Sequence, residues 1–286
     1  MASEPQTISA HGASGGLHWA LRSDVGRRRT DNEDFVGVYA PSEPQERGPL
    51  FVLADGMGGH AAGEVASRLA VEGVLEQWTS GPSAAPRSAL RSAVRAANST
   101  VFAASLDNEH RGMGTTLTAL ALLGNEAIIA HVGDSRAYRV RGGLCSQLTD
   151  DHSRVGEMLR MRLISPEQAA HHPARSQLTR SLGHEPAVQV DLVRSDVAVG
   201  DTFVLCCDGL WDLVPRADIA SAVAADADGA AARLLELALE RDAPDNVSVI
   251  VAHVAELSEQ PGAPEGTARG RGLFGFLRRQ GPSAGR

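Results

Sequence analysis

A chain of 286 residues, 43% hydrophobic and 22% charged, has the material for one sizeable globular domain with an ample core. Its formal net charge of -8 argues against generic nucleic-acid binding, which needs a basic footprint, and no uninterrupted apolar run approaches the roughly 20 residues that span a bilayer. All 27 basic residues are arginine and none is lysine, which excludes P-loop nucleotide binding, Schiff-base chemistry and the kinase strand lysine.

In chain order, residues 1–16 are polar, rich in small residues and without the apolar centre of a secretion signal. They read as a disordered leader of a cytoplasmic protein, ahead of a folded domain over 17–256. Leu17 to Leu21 reads as a first strand. A turn dense in arginines and carboxylates follows, from Ser23 to Asp34, and then the strand-like Phe35 to Tyr39. Leu50-Phe51-Val52-Leu53-Ala54 is a buried-strand pattern that runs into Asp55 and the glycine-rich Gly56-Met57-Gly58-Gly59-His60. Taken alone, Asp55-Gly56 also suits a hairpin turn. Helical stripes follow at Ala66, Leu69, Ala70, Gly73, Val74 and Trp78, and at Leu90, Val94, Ala97, Val101 and Ala104, with a break over Gly81 to Pro86.

The segment from Gly112 to Leu123 predicts a strand, and Gly124-Asn125 a tight hairpin into a strand that ends at Gly133-Asp134-Ser135. Arg136 to Val140 and Leu144 to Leu148 continue the meander around Gly142-Gly143. Hairpin connections mean antiparallel pairing, which separates the chain from doubly wound nucleotide folds. Residues 150–185 break the β pattern with short helical segments, among them Arg154 to Leu163 and a start at Ser165-Pro166-Glu167. Strands are expected over Val188 to Val193, Asp201 to Cys207 and Val247 to Val254, with helices over Asp218 to Ala224 and Ala231 to Arg241. Gly, Pro, Ala and Arg dominate 257–286, as in a flexible tail, and Gly272 to Arg279 forms a small basic-apolar patch that could touch a membrane or a partner. The whole predicts an α+β, four-layer α-β-β-α sandwich of two antiparallel sheets between helical layers.

Asp34, Asp55, Asp134, Asp208 and Asp245 all stand at ends of expected core strands. Unpaired carboxylates there cost several kcal/mol each, and cations neutralise them most simply. Adjacent Cys206 and Cys207 are poor disulfide partners, so they and Cys145 read as reduced thiols. No cysteine is followed by a glycine-rich loop closing on arginine, the mark of cysteine phosphatases. His131, His152, His171 and His172 lack the spacing of a tetrahedral zinc site; His131 reads as core, the others as surface residues or part of the 150–185 segment.

Several motifs in order, Asn32-Glu33-Asp34, Asp55-Gly56-Met57-Gly58-Gly59-His60, Gly112-Met113-Gly114-Thr115-Thr116, Gly133-Asp134-Ser135-Arg136, Asp208-Gly209-Leu210-Trp211-Asp212 and Pro244-Asp245-Asn246, make the chain from about Leu17 to Val254 resemble the bacterial metal-dependent Ser/Thr protein phosphatases, the PPM family or type 2C. The resemblance implies that Asp55 bridges two ions, that the Gly56 carbonyl, Asp208 and Asp245 complete direct coordination, and that Asp34 acts mostly through bound water. Oxygen-only ligands favour Mn²⁺ or Mg²⁺, and Asp134 with Asp212 match a third, weaker metal position. Arg29 matches the phosphate-gripping arginine and His60 the candidate general acid, with Met57 standing where eukaryotic members often carry that histidine. The family's chemistry is attack on phosphorus by a water bridging two ions about 3.5–4 Å apart, without a phosphoenzyme. Phosphorylated protein substrates, a cognate bacterial Ser/Thr kinase and a monomeric state are the implied relationships, and residues 150–185 match the family's flap beside the active site, where substrate choice is expected. A scaffold that has lost catalysis and a hydrolase of small phosphoesters are the competing functions; the first typically lacks metal carboxylates, and here none is missing.

Overall fold

The structure is a computed structural model that describes residues 7–41, 47–58, 61–81 and 85–257. Two antiparallel sheets form its centre. In the first, the strands lie in the order β1 (Ile8–Ser14), β2 (Leu17–Asp24), β12 (Val247–Val254), β11 (Thr202–Cys206), β8 (Arg136–Arg141) and β9 (Leu144–Gln147). The second runs β10 (Asp191–Asp196), β7 (Glu126–Val132), β6 (Leu117–Leu123), β4 (Leu50–Met57) and β3 (Asp34–Tyr39), and the short β5 (Gly114–Thr115) extends along β4.

Three apolar clusters account for the layering. Leu21, Phe51, Leu53, Leu120, Ile129, Phe203, Leu205 and Ile250 meet between the sheets. The outer face of the second sheet packs on α1 (Ala61–Ser80) and α2 (Pro86–Ser105) through Ala66, Ala70, Val74, Trp78, Leu90, Val94 and Val101, the two stripes legible in the sequence. The first sheet's outer face is covered by α6 (Arg216–Ala222) and α7 (Ala227–Glu240), with Ile219, Leu234 and Ala238 buried against Val204, Val249 and Val251. Sheets and helices therefore stack as the predicted four layers. Between β9 and β10 the chain forms the flap, carrying α3 (Arg154–Arg160) and α4 (Pro166–Ala170). Its helix start is where the sequence placed it: Ser165 accepts from the Gln168 N–H while the Gln168 side chain accepts from the Ser165 N–H, a capping box.

Four expectations are corrected. Residues 8–14 are not a disordered leader but strand β1, paired with β2 along its whole length. Gly15 and Gly16, both at positive φ (54° and 80°), make the two-residue turn that such a hairpin needs; because β1 is an exposed edge strand, it lacks the apolar run that marks interior strands. Asp55-Gly56 is not a hairpin turn, because β4 continues through it to Met57 and pairs there with β5. The strand expected over 188–193 begins at Asp191, where the register with β7 starts at His131 and runs to Asp196 opposite Glu126. The strand expected from Gly112 is split at Thr116, whose side chain is recruited to the site described next. The tail from 258 onward, including its basic-apolar patch, lies outside the described residues, as do residues 1–6. All three cysteines are free.

Candidate active site

Strand pairing brings the first two carboxylates together. Asp34 opens β3 and lies directly opposite Asp55 of β4, a register that holds facing side chains about 4.5–5.5 Å apart at Cβ. From the first sheet, the end of β11 delivers Cys207 and then Asp208, which begins the short helix α5 (Asp208–Trp211). The loop entering β12 delivers Asp245. One edge of the sandwich thus collects acidic groups from strand ends of both sheets.

Backbone contacts hold these groups in place. The Asp55 N–H donates to Thr116 Oγ1 (2.9 Å), and its carbonyl accepts from the Thr116 N–H and from Thr115 Oγ1 (2.9 Å each). Buried Asn246 accepts from the Glu33 N–H (2.9 Å) and donates to the carbonyls of Val25 and Asp31 (3.0 Å each), so it ties the arginine-rich turn to the residue beside Asp245. Gly209 is required by the close approach of the two strand ends: a Cβ there would lie 2.0 Å from the Asn246 carbonyl oxygen.

The electrostatics are those of crowded carboxyls in a partly dry site. Burial, with Asp208 and Asp245 nearby, pushes Asp34 up to about 7, although the polar Ser248 and Cys207 side chains beside it pull the other way. Burial and then the Asp34 and Asp208 charges raise Asp55 well above the usual carboxylate range. Asp208 is pushed up to about 6 by burial, Asp245 and Asp212. Asp34 is 4% exposed, and its Oδ2 is buried with no hydrogen-bond partner. Ligand atoms of Asp34, Asp55 and Cys207 all lie within 4.8 Å of one another. Burial raises the Cys207 thiol, and its sulfur is occupied by the Ser248 N–H (3.1 Å) and the Asn246 carbonyl (3.4 Å), which leaves the carboxylates as the charged donors. Clustered hard oxygens that repel one another, one of them without a partner, fit divalent ions of the Mg²⁺ or Mn²⁺ type.

Around this cluster the other expected residues fall as follows. Arg29 donates to Asp245 Oδ2 at 2.9 Å and lies 3.7 Å from Glu33, so a guanidinium borders the carboxylates. Asp134 is buried and pushed up to about 8, first by burial, then by Asp208 and Asp151, with Arg136 partly offsetting. Arg136 forks onto Asp151 (2.7 Å) and stacks 3.5 Å above the Trp211 ring, while Trp211 Nε1 donates to the Asp134 carbonyl. Asp212 pairs with Arg175 of the flap at 2.6 Å. His60 lies outside the described residues. Asp134, Asp208, Asp212 and Asp245 line a cleft of about 670 Å³, whose opposite wall is the flap, with Val155, Leu159, Pro166 and Ala169.

His131 is core, as expected, and His152 lies in the flap, the second of the two places open to it, where it is buried at 1% exposure. Both of its ring nitrogens have partners, the Gly133 N–H at 3.1 Å and Asp191 at 3.1 Å, which offsets the cost of burial. Sequence reasoning singled out neither His152 nor Asn246 and Thr116 for a role of their own, because nothing in local periodicity says which polar side chain will reach across the fold.

Fold and acidic edge together define the class: the family model described as protein phosphatase 2C matches residues 27–239, and the chain belongs to that family. It is 42% identical over 243 residues to the serine/threonine protein phosphatase PstP of Mycobacterium tuberculosis, a match covering 84% of this chain and 45% of that protein. The chain therefore spans less than half the length of that curated relative. It is 39% identical to the serine/threonine phosphatase stp of Listeria innocua, over 71% of this chain and 81% of the relative. Among solved structures, the M. tuberculosis serine/threonine phosphatase PstP/Ppp aligns with a TM-score of 0.76 at 42% identity, covering 84% of this chain and 99% of that one. A catalytic domain of PstP in complex with two manganese ions aligns at 0.74 and 40% identity, over 84% and 99% of the respective chains.

Proposed function

We propose that this chain is a metal-dependent phosphatase of phosphoserine and phosphothreonine in proteins, acting in the cytoplasm of a bacterium against the products of a Ser/Thr kinase. The observation that carries the proposal is the convergence of Asp34, Asp55 and Asp208 at one sandwich edge with raised proton affinities and the partnerless Asp34 Oδ2. The relative bearing two manganese ions supports the same metal type here. Asp55, Asp208, Asp245, the Gly56 carbonyl and, through water, Asp34 would hold two Mn²⁺ or Mg²⁺ ions, and Asp134 with Asp212 a weaker third. When bound, the ions supply Lewis-acid charge and an activated water at neutral pH.

The chain's own residues do the rest. Asn246 and the Thr115-Thr116 clamp keep the carboxylates aimed inward. Arg29, which borders the carboxylates through Asp245 and Glu33, would grip two phosphoryl oxygens through its planar fork. His60 has the role of general acid toward the departing alkoxide, a contribution of roughly 10² to 10⁴-fold. The cleft beside the carboxylates, whose flap wall carries both apolar residues such as Val155 and Leu159 and charged ones such as Arg160 and Arg175, has room for chain flanking a phosphorylated residue, which favours protein substrates over small phosphoesters.

Hydrolysis of a phosphothreonine peptide titrated with Mn²⁺ and Mg²⁺ tests the proposal. Activity should depend on either ion, vanish on chelation, and fall by at least about 10²-fold in Asp208→Asn. Turnover that survives thorough chelation, or a wild-type rate in Asp208→Asn, would contradict it.

A further inference from the structure

Two histidines buried at the root of the flap take no part in the chemistry above, and their rings lie 4.8 Å apart, centroid to centroid. His131 Nδ1 is 2.9 Å from Thr118 Oγ1, and its Nε2 is 3.2 Å from the Asp150 carbonyl. His152 makes a more consequential pair of contacts. Its Nδ1 accepts from the Gly133 N–H, and its own backbone N–H donates back to the Gly133 carbonyl at 2.7 Å. An acceptor at Nδ1 leaves the ring proton on Nε2, where it is donated to Asp191 Oδ2. The other oxygen of Asp191 is held by Arg180 of the flap at 2.7 Å.

Gly133 is the residue before Asp134, and it has no slack. Its φ is +110°, and a Cβ there would lie 2.6 Å from the side chain of Thr116, the same Thr116 that receives the Asp55 N–H and bonds Ser135 Oγ at 2.8 Å. A continuous set of contacts therefore runs from Arg180 through Asp191, His152, Gly133 and Thr116 to the Asp55 backbone. Each link is buried or partly buried, and each has its polar groups engaged.

We propose that His152 is a positioning residue for the phosphatase reaction: as an acceptor at Nδ1 it fixes the Gly133-Asp134 turn against Thr116, with Asp191 setting the tautomer that makes it one. The proposal rests on the phosphatase activity proposed above, and wild-type turnover, measured in the same assay, tests that activity separately.

Two substitutions split the two ring nitrogens. In His152→Asn the amide oxygen can stand where Nδ1 stands and accept from the Gly133 N–H. In His152→Gln the amide reaches the Nε2 position and can serve Asp191, but Gly133 loses its acceptor. Both lose packing and are expected to lower Tm by similar amounts. His152→Asn should keep kcat for a phosphothreonine peptide within about threefold of wild type, whereas His152→Gln should lose about ten- to hundredfold in kcat and in Mn²⁺ affinity, the size expected for residues that orient ligands indirectly. In the chelated protein, hydrogen-exchange protection of the Gly133 amide should persist in His152→Asn and be lost in His152→Gln. Equal kcat and Mn²⁺ affinity in the two variants would reduce His152 to a packing residue and overturn the proposal. So would a ring ¹⁵N spectrum of the wild-type protein with the His152 proton on Nδ1, a measurement that needs no variant to fold.

Discussion

Asp134 shows most clearly what the site costs the chain when no ion is bound. Its folded-state carboxyl is pushed up to about 8, by burial first and then by Asp208 and Asp151, from an ordinary value near 3.9. The sign follows from proton counting: between those two values the folded chain holds a proton that the unfolded chain has released, so stability falls as pH rises through that window. Asp34, pushed up to about 7, and Asp208, up to about 6, act in the same direction over narrower windows. Asp134→Asn should therefore stabilise the chelated protein, by a smaller amount at pH 5 and by a larger one at pH 8, where Tm should rise by at least about 2–6 °C. Thermal melts in chelator at the two pH values check this, and a variant that melts lower than wild type at pH 8 would contradict it. The same linkage makes metal binding release protons. At this scale the sequence was informative about residue type: a carboxylate at the end of an apolar strand was legible at Asp55, Asp208 and Asp34. The raised proton affinities were not, because they arise from neighbours distant along the chain, as Asp245 is from Asp34.

Among elements, the arginine-rich turn between β2 and β3 is held in part by one side chain from the loop before β12, beside contacts such as the Arg27 N–H to the Ala243 carbonyl. Asn246 is buried and makes three hydrogen bonds to backbone groups of Val25, Asp31 and Glu33. Asn246→Ala leaves those groups without their partner and is expected to cost about 2–4 kcal/mol of stability, to loosen Arg29, and to raise KM for a phosphopeptide. Denaturant melts and steady-state kinetics check it; unchanged stability would mean that the turn holds its shape without Asn246. Apolar runs made β4, β7, β11 and β12 readable, and Gly124-Asn125 gave away the β6–β7 hairpin. By contrast β1 was missed because its side chains face solvent, and the start of β10 was displaced because pairing with β7, not local hydrophobicity, sets where it begins. The four-residue helix α5 is too short to leave a periodic trace. That His152 would be a buried member of the flap was not legible, because a lone polar residue in a β-poor segment carries no sign of the two partners that bury it.

For the molecule as a whole, the sandwich explains why a site assembled from five distant segments can be rigid. Phe51, Phe203, Leu205 and Ile250 lock the two sheets face to face, and the carboxylates hang from strand ends that this core fixes. The four layers followed from hairpins and paired amphipathic helices in the sequence. The meeting of both sheets' acidic ends at one edge did not, since it depends on β12 lying between β2 and β11, a crossing order that local patterns do not encode. No helix among the described residues is long and apolar enough to cross a membrane. The central claim is that these carboxylates jointly cage a pair of divalent ions, and it is tested most directly by calorimetric titration of Mn²⁺ into the chelated protein and into Asp55→Asn. The account predicts at least two Mn²⁺ per wild-type chain and loss of both from the variant; two ions bound by Asp55→Asn with wild-type affinity would contradict it.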